Sequence, residues 1–142
     1  MESTYVQEFE VIGGDFLRAG QVSTQIKAIL KEIGINHLIV RRISICAYEA
    51  EMNVVMYAQR GKSLFSMYPH ETNITVEDEG PGIEDIELAM REGYSTATSE
   101  MQEMGFGAGM GLPNIKKNAD TFHISSVVGK GTKLQIGVRI QT

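Results

Sequence analysis

The stretch Ile74-Thr75-Val76-Glu77-Asp78-Glu79-Gly80-Pro81-Gly82 decides how this 142-residue chain is read. Its first half alternates as a strand does, with Ile74 and Val76 on one face, and side chains repeat every two residues, so Asp78 continues on that inward face. The strand then breaks at Gly80-Pro81-Gly82. A carboxylate aimed at the dry side of a sheet costs several kcal/mol unless something satisfies it. Two partners are open: the N–H groups of Gly80 or Gly82 in a closed turn, or a ligand that donates, such as an adenine amino group.

A second polar group obeys the same parity. Leu134, Ile136, Val138 and Ile140 form the core face of the last strand, and Thr132 falls on it too. Between these strands in sequence lies Gly105-Phe106-Gly107-Ala108-Gly109-Met110-Gly111-Leu112-Pro113. Alternating glycines free successive backbone N–H groups to converge on an anion, and the helix that follows adds a partial positive charge. No Gly-Lys-Ser/Thr follows, and the run does not open a βαβ unit, so neither the Walker nor the dinucleotide fingerprint fits.

A long helix is predicted over His37–Gln59, with a core stripe of Ile39, Ile43, Cys46, Ala47, Ala50, Val54 and Tyr57 and with Gly61 closing it. Beside the stripe stand Glu49 and Asn53, one turn apart on one side, with Arg42 and Arg60 at similar angles. Solvated polar groups on a helix flank are common. The alternative is a divided task, in which Asn53 offers a neutral oxygen to Mg²⁺ and Glu49 orients or deprotonates a nucleophile.

The remaining pattern predicts strands near Tyr5–Ile12, Ser63–Tyr68 and Glu71–Glu77, and helices over Ala19–Ile33, Glu84–Arg91 and Pro113–Asp120. A terminal hairpin, Thr121–Val128 and Thr132–Ile140, turns at Gly129-Lys130-Gly131. Helices with an antiparallel-rich sheet make an α+β two-layer sandwich, with a mixed, mostly antiparallel sheet and the helices on one face. One domain over 1–142 is expected, with a flexible ligand lid at about 93–111.

Composition narrows the class. With 13 basic and 18 acidic residues the chain lacks the basic footprint of a nucleic-acid binder. No run approaches the roughly 18 apolar residues of a membrane span, and a single cysteine excludes an internal disulfide. Cytoplasmic residence is expected. The edge-like first strand leaves a homodimer open. Cys46 is expected as a small buried hydrophobe, the eight methionines as adaptable packing, and the three histidines lack ligand spacing.

Taken in order, these pieces resemble the Bergerat-fold ATPase superfamily of DNA gyrase, the ninety-kilodalton heat-shock chaperone, sensor histidine kinases and mismatch-repair ATPases. Glu49-Ala50-Glu51-Met52-Asn53, Asp78-Glu79-Gly80-Pro81-Gly82, Gly105–Gly111 and Gly129-Lys130-Gly131-Thr132 are similar to its four motifs. Within it, Asp78–Asp85 (DEGPGIED), Glu92–Thr96 (EGYST), Gly111–Lys117 (GLPNIKK) and Phe122–Thr132 (FHISSVVGKGT) resemble small bacterial anti-sigma-factor and stressosome-switch serine kinases.

The resemblance implies Mg-ATP as cofactor and phosphorylation of a serine or threonine on a small STAS-type antagonist, with a sigma factor as a further partner. It implies Glu49 as the base, Asn53 as the magnesium ligand, and Asp78, Gly80, Gly82, Ile83 and Thr132 around adenine. Gly105, Gly107, Ala108, Gly109, Met110, Gly111 and Leu112 are implied around the phosphates. Two other functions stay open: an ATP-dependent binding module without phosphoryl transfer, and a simple ATPase. Met56 replaces the phosphate-contacting lysine of many histidine kinases, which leaves Arg60, Lys62 or a lid residue to neutralise charge.

Overall fold

A computed structural model describes residues 3–92 and 111–140. Gly105, Gly107, Ala108, Gly109 and Met110 lie outside the described residues, as does all but the end of the expected lid.

The chain runs β1 (Tyr5–Ile12), α1 (Gln21–Ile33), α2 (His37–Tyr57), β2 (Arg60–Met67), β3 (Glu71–Glu79), α3 (Ile86–Ala89), α4 (Gly111–Asn118), β4 (Thr121–Val127) and β5 (Gly131–Arg139). The strands form one five-stranded sheet in the order β1-β2-β3-β5-β4. Every pairing is antiparallel, including β3 with β5, so the sheet is not mixed. The long connection leaving β3 returns through β4 at the far edge, and β5 then enters between β3 and β4 against the direction of both.

Period-two and period-3.6 patterns meet in one core. Ile74 and Val76 of β3 and Leu134, Ile136 and Val138 of β5 are buried on the face that packs against Ile43, Cys46, Ala47, Ala50 and Val54 of α2. Ile26 and Leu30 of α1 close the layer from the side. Fully burying each valine, leucine or isoleucine among them contributes about 1.5–3 kcal/mol. The other sheet face carries charges that pair across strands, Lys62 with Glu8 at 3.7 Å and Lys133 with Glu77 at 3.4 Å. These exposed pairs keep the face wet and add little stability. No described helix is long and apolar enough to cross a membrane.

Three elements differ from their expected bounds in ways that matter. Helix α2 starts as expected, where Asn36 Oδ1 accepts the Leu38 N–H at 2.9 Å. It ends at Tyr57, because Ala58 is already extended, and β2 begins at Arg60, before the expected Ser63. Gly61 is therefore a strand residue and not a helix stop. A Cβ there would sit 2.9 Å from the Glu77 carbonyl oxygen and 3.0 Å from the Val54 methyls, so its missing side chain lets β2 pass under α2. Helix α3 is shorter than the expected Glu84–Arg91, opened by Asp85 accepting the Leu88 N–H at 3.0 Å.

Candidate functional site

The end of β3 brings Asp78 to the inner face, half-buried, as its parity requires. Its Oδ1 accepts the Thr132 backbone N–H of β5 at 3.0 Å. Neither glycine of the turn supplies that bond; the Gly80 N–H donates instead to the Lys130 carbonyl at 3.0 Å. Burial pushes the Asp78 carboxyl above the ordinary aspartate range, and the Thr132 N–H pulls it part of the way back. The second oxygen, Oδ2, accepts from no described residue.

The turn after Asp78 is shaped by contact with the β4–β5 hairpin. Gly82 has φ of 76°, and a Cβ there would come within 2.6 Å of the Val127 carbonyl oxygen. A Cβ on Gly131 would fall 2.0 Å from the Asp78 carbonyl oxygen, so only glycine lets the last glycine motif lie against the Asp78 turn.

Thr132 is buried, 7% exposed, and its hydroxyl shares a hydrogen bond of 2.9 Å with Ser126 Oγ. Ser126 Oγ also accepts the Ile83 N–H at 2.8 Å and lies 3.1 Å from the Gly131 carbonyl, to which it can donate. One hydroxyl on β4 thus ties the turn carrying Ile83 to the strand carrying Thr132. The sequence held a signal for it. Phe122, Ile124 and Ser126 share one parity, so Ser126 continues an apolar face just as Asp78 and Thr132 do.

On α2, Glu49 and Asn53 are both half-buried on one side of the helix. Asn114 of α4 donates through Nδ2 to Glu49 Oε2 at 2.7 Å. The Asn53 amide has no hydrogen bond to any described residue. Gly111 and Leu112 form the start of α4, with Leu112 in the core.

Glu51, between them, does something the sequence reading missed. It is 2% exposed and accepts three backbone N–H groups from the start of α1: Gly20 at 3.0 Å, Val22 at 3.3 Å and Ser23 at 3.2 Å. Gly20 is left-handed at φ 95° and α1 has no side-chain cap of its own, so Glu51 fills that role from another helix. Burial pushes the Glu51 carboxyl up, and the three N–H groups draw it down. The signal was present, since Ala47, Ala50, Glu51 and Val54 stand at i, i+3, i+4 and i+7, the spacing of a core stripe.

Of the cations expected to neutralise phosphate charge, Arg60 and Lys62 do not share the inner face with Asp78. They point to the outer face of the sheet, where they pair with Glu79 and Glu8. Arg60 belongs to β2 rather than to α2, so strand parity sets its direction. Arg42 is engaged by the Asn118 carbonyl at 2.9 Å and by Asp120 at 3.2 Å. Lys117 pairs with Glu92. Cys46 is buried as expected, with its thiol pushed up to about 12 by burial. Among the described residues no group of three or more His, Cys, Asp or Glu side chains could hold a metal ion.

Asp78, Thr132 and Ile83 thus gather where the β3 turn meets the β4–β5 hairpin, while Glu49 and Asn53 share one side of α2, to which α4 is tied by the bond from Asn114. Comparison with known proteins identifies the domain. Residues 17–138 match the histidine kinase-like ATPase domain. The chain is 33% identical over 111 residues to the serine/threonine-protein kinase RsbT of Bacillus subtilis, covering 75% of this chain and 77% of that protein. It is 32% identical over 93 residues to an anti-sigma F factor of Caldanaerobacter subterraneus, covering 62% of each. Against an anti-sigma F factor of Thermoanaerobacter sp. it is 37% identical over 67 residues, 47% of this chain and 43% of that one. Fold, motif order and homology converge: this chain belongs to the histidine kinase-like ATPase domain family, whose ligand is ATP, and is homologous to RsbT and the anti-sigma F factors.

Proposed function

We propose that this protein is a Mg-ATP-dependent serine/threonine protein kinase of the partner-switching kind, acting on a small STAS-type antagonist protein. The observation that carries the ligand side is Asp78, a half-buried carboxylate with one oxygen held by Thr132 and the other without a described partner. Such a group fits a ligand that donates, as the adenine amino group does. Gly80, Gly82, Ile83 and Thr132 are assigned with that carboxylate to the adenine end. Gly105, Gly107, Ala108, Gly109, Met110, Gly111 and Leu112 are assigned to the phosphates.

Asn53 fits a metal because its amide oxygen is neutral, half-exposed and unclaimed by described residues. Bound there, Mg²⁺ would neutralise phosphate charge. Glu49 holds one oxygen in the bond from Asn114 and keeps lone pairs for a substrate hydroxyl, whose proton it would accept. The RsbT relative, named a serine/threonine-protein kinase, supports the reaction class.

The test is incubation of purified protein with Mg-ATP labelled on the γ-phosphate and each STAS-type protein of the same genome. Label on one of them, lost in Glu49→Ala, is the expected result. A second reading is favoured by the relatives named anti-sigma F factor. Nucleotide occupancy would then govern capture of a sigma factor without transfer. Tight, ATP-dependent binding of a sigma factor with no labelled protein would select it.

A further inference from the structure

A groove of about 770 Å³ runs over the helical layer between α1, α2 and α4. Its lining includes Glu49 and Asn114, so the proposed base opens into it. Around them the groove is cationic, with Lys27 and Lys31 from α1 and Arg41 from α2. All three are exposed, and none has an ion pair to a described residue, whereas Arg42, Arg60, Lys62, Lys117 and Lys133 do. Glu49 is the single acid among the described lining residues, in a chain whose net charge is -5. Tyr48 and Ile45 give the floor an apolar strip.

The spacing sets a length. Lys27 and Lys31 stand one turn apart on one side of α1. Arg41 precedes Glu49 by eight residues, about 12 Å along a helix that rises 1.5 Å per residue. An extended peptide covers that distance in about four residues.

We propose that this groove docks an acidic segment of the acceptor protein, with carboxylates about four residues from the hydroxyl offered to Glu49. This rests on the kinase reading of Glu49. Lys27, Lys31 and Arg41 meet the acidic side chains, and the strip at Tyr48 and Ile45 meets the backbone and apolar side chains between them. Single exposed charges contribute little to affinity, but three facing an opposite patch speed association and make it salt-dependent. A single-stranded RNA is the other polymer a basic groove can attract, but Glu49 would repel its phosphates.

The experiment measures binding of recombinant STAS-type proteins of the same genome to immobilised wild type and to the triple reversal K27E/K31E/R41E. Mg²⁺ and a non-hydrolysable ATP analogue are present, and phosphate transfer is assayed in parallel. Binding by wild type should weaken with salt and fall about tenfold or more in the reversal. The melting temperature and ATP affinity of the reversal should match wild type, since all three side chains are exposed. Affinity within twofold of wild type overturns the groove, as does the absence of binding by any such protein. Capture of a polyuridine 12-mer by wild type in preference to every STAS-type protein also overturns it. The transfer assay judges the kinase reading separately. A protein that binds through the groove without receiving phosphate keeps the groove and removes the kinase. A protein phosphorylated with the same KM by wild type and reversal does the opposite.

Discussion

Asn114 Nδ2 donates to Glu49 Oε2 at 2.7 Å, so the helix that follows the glycine run is tied to the carboxylate proposed to take the substrate proton. Asn114→Ala leaves the carboxylate in place but removes the group that fixes its rotamer. Misplacing a catalytic group lowers turnover without weakening ground-state binding. The expected result is a kcat about tenfold lower with the KM for ATP unchanged. Equal loss in both parameters would show that Asn114 serves the pocket and not the base.

Asp78→Asn keeps the acceptor for the Thr132 N–H but places a donor where the carboxylate had a second acceptor. ATP affinity should fall by about tenfold or more by titration calorimetry. GTP, which presents an oxygen where ATP presents an amino group, should bind wild type about a hundredfold more weakly than ATP. The variant should be at least as stable to urea as wild type, because a desolvated charge has been removed. Equal ATP affinity in the two proteins removes Asp78 from the adenine site.

Ser126→Ala deletes the hydroxyl shared by Ile83, Gly131 and Thr132. The Ile83 N–H and the Thr132 hydroxyl lose their partner, at about 1–2 kcal/mol of stability. If Ser126 orients Thr132 for the ligand, ATP affinity falls about threefold to tenfold in the folded protein. Ser126→Thr should restore it. Lost stability with intact affinity would confine Ser126 to the fold.

The buried Glu51 gives the pH dependence its sign. Its carboxyl is raised in the folded protein above the ordinary 4.5. Between that value and the raised one, the folded state binds more protons than the unfolded state. Stability contributed by this group therefore rises as pH falls through the window and is flat below 4.5. Glu51→Gln should abolish that slope in urea midpoints, whereas Glu51→Ala leaves three N–H groups unpaired and costs about 3 kcal/mol. Asp120 acts oppositely. The Arg139 N–H and the Arg42 side chain hold it below the ordinary 3.8, so its contribution is lost as pH falls from 3.8 through the lowered value.

Parity and periodicity placed the candidate polar groups on their strand and helix faces. Asp78 and Thr132 were legible because a strand alternates, and a polar group on a dry parity is conspicuous. Tyr5–Ile12 emerged with its expected bounds for the same reason. The turn chemistry was less legible. The sequence offers the Gly80 and Gly82 amides as partners for Asp78, yet the partner comes from 54 residues away, across a strand pairing that no local pattern reveals. Arg60 was misdirected by extending a helix two residues too far, which changes a 100° step into a strand's alternation. Glu51 was overlooked between two more familiar positions, although its spacing marked it as core. The fully antiparallel order required knowing where β5 inserts, and hairpin signals do not say which strand lies on the other side.

The three amides held by Glu51 join things that the helix numbering separates. Lys27 and Lys31 stand on α1, Glu49 and Asn53 on α2, and the carboxylate between the latter two is bolted to the first turn of α1. A shear of α2 along its axis would tear those bonds in a dry interior, so the two helices should travel as one rigid body. If nucleotide displaces Asn53 at the proposed magnesium site, the basic wall of the groove moves by the same vector. A partner resting on α1 would register the state of the nucleotide helix without touching it.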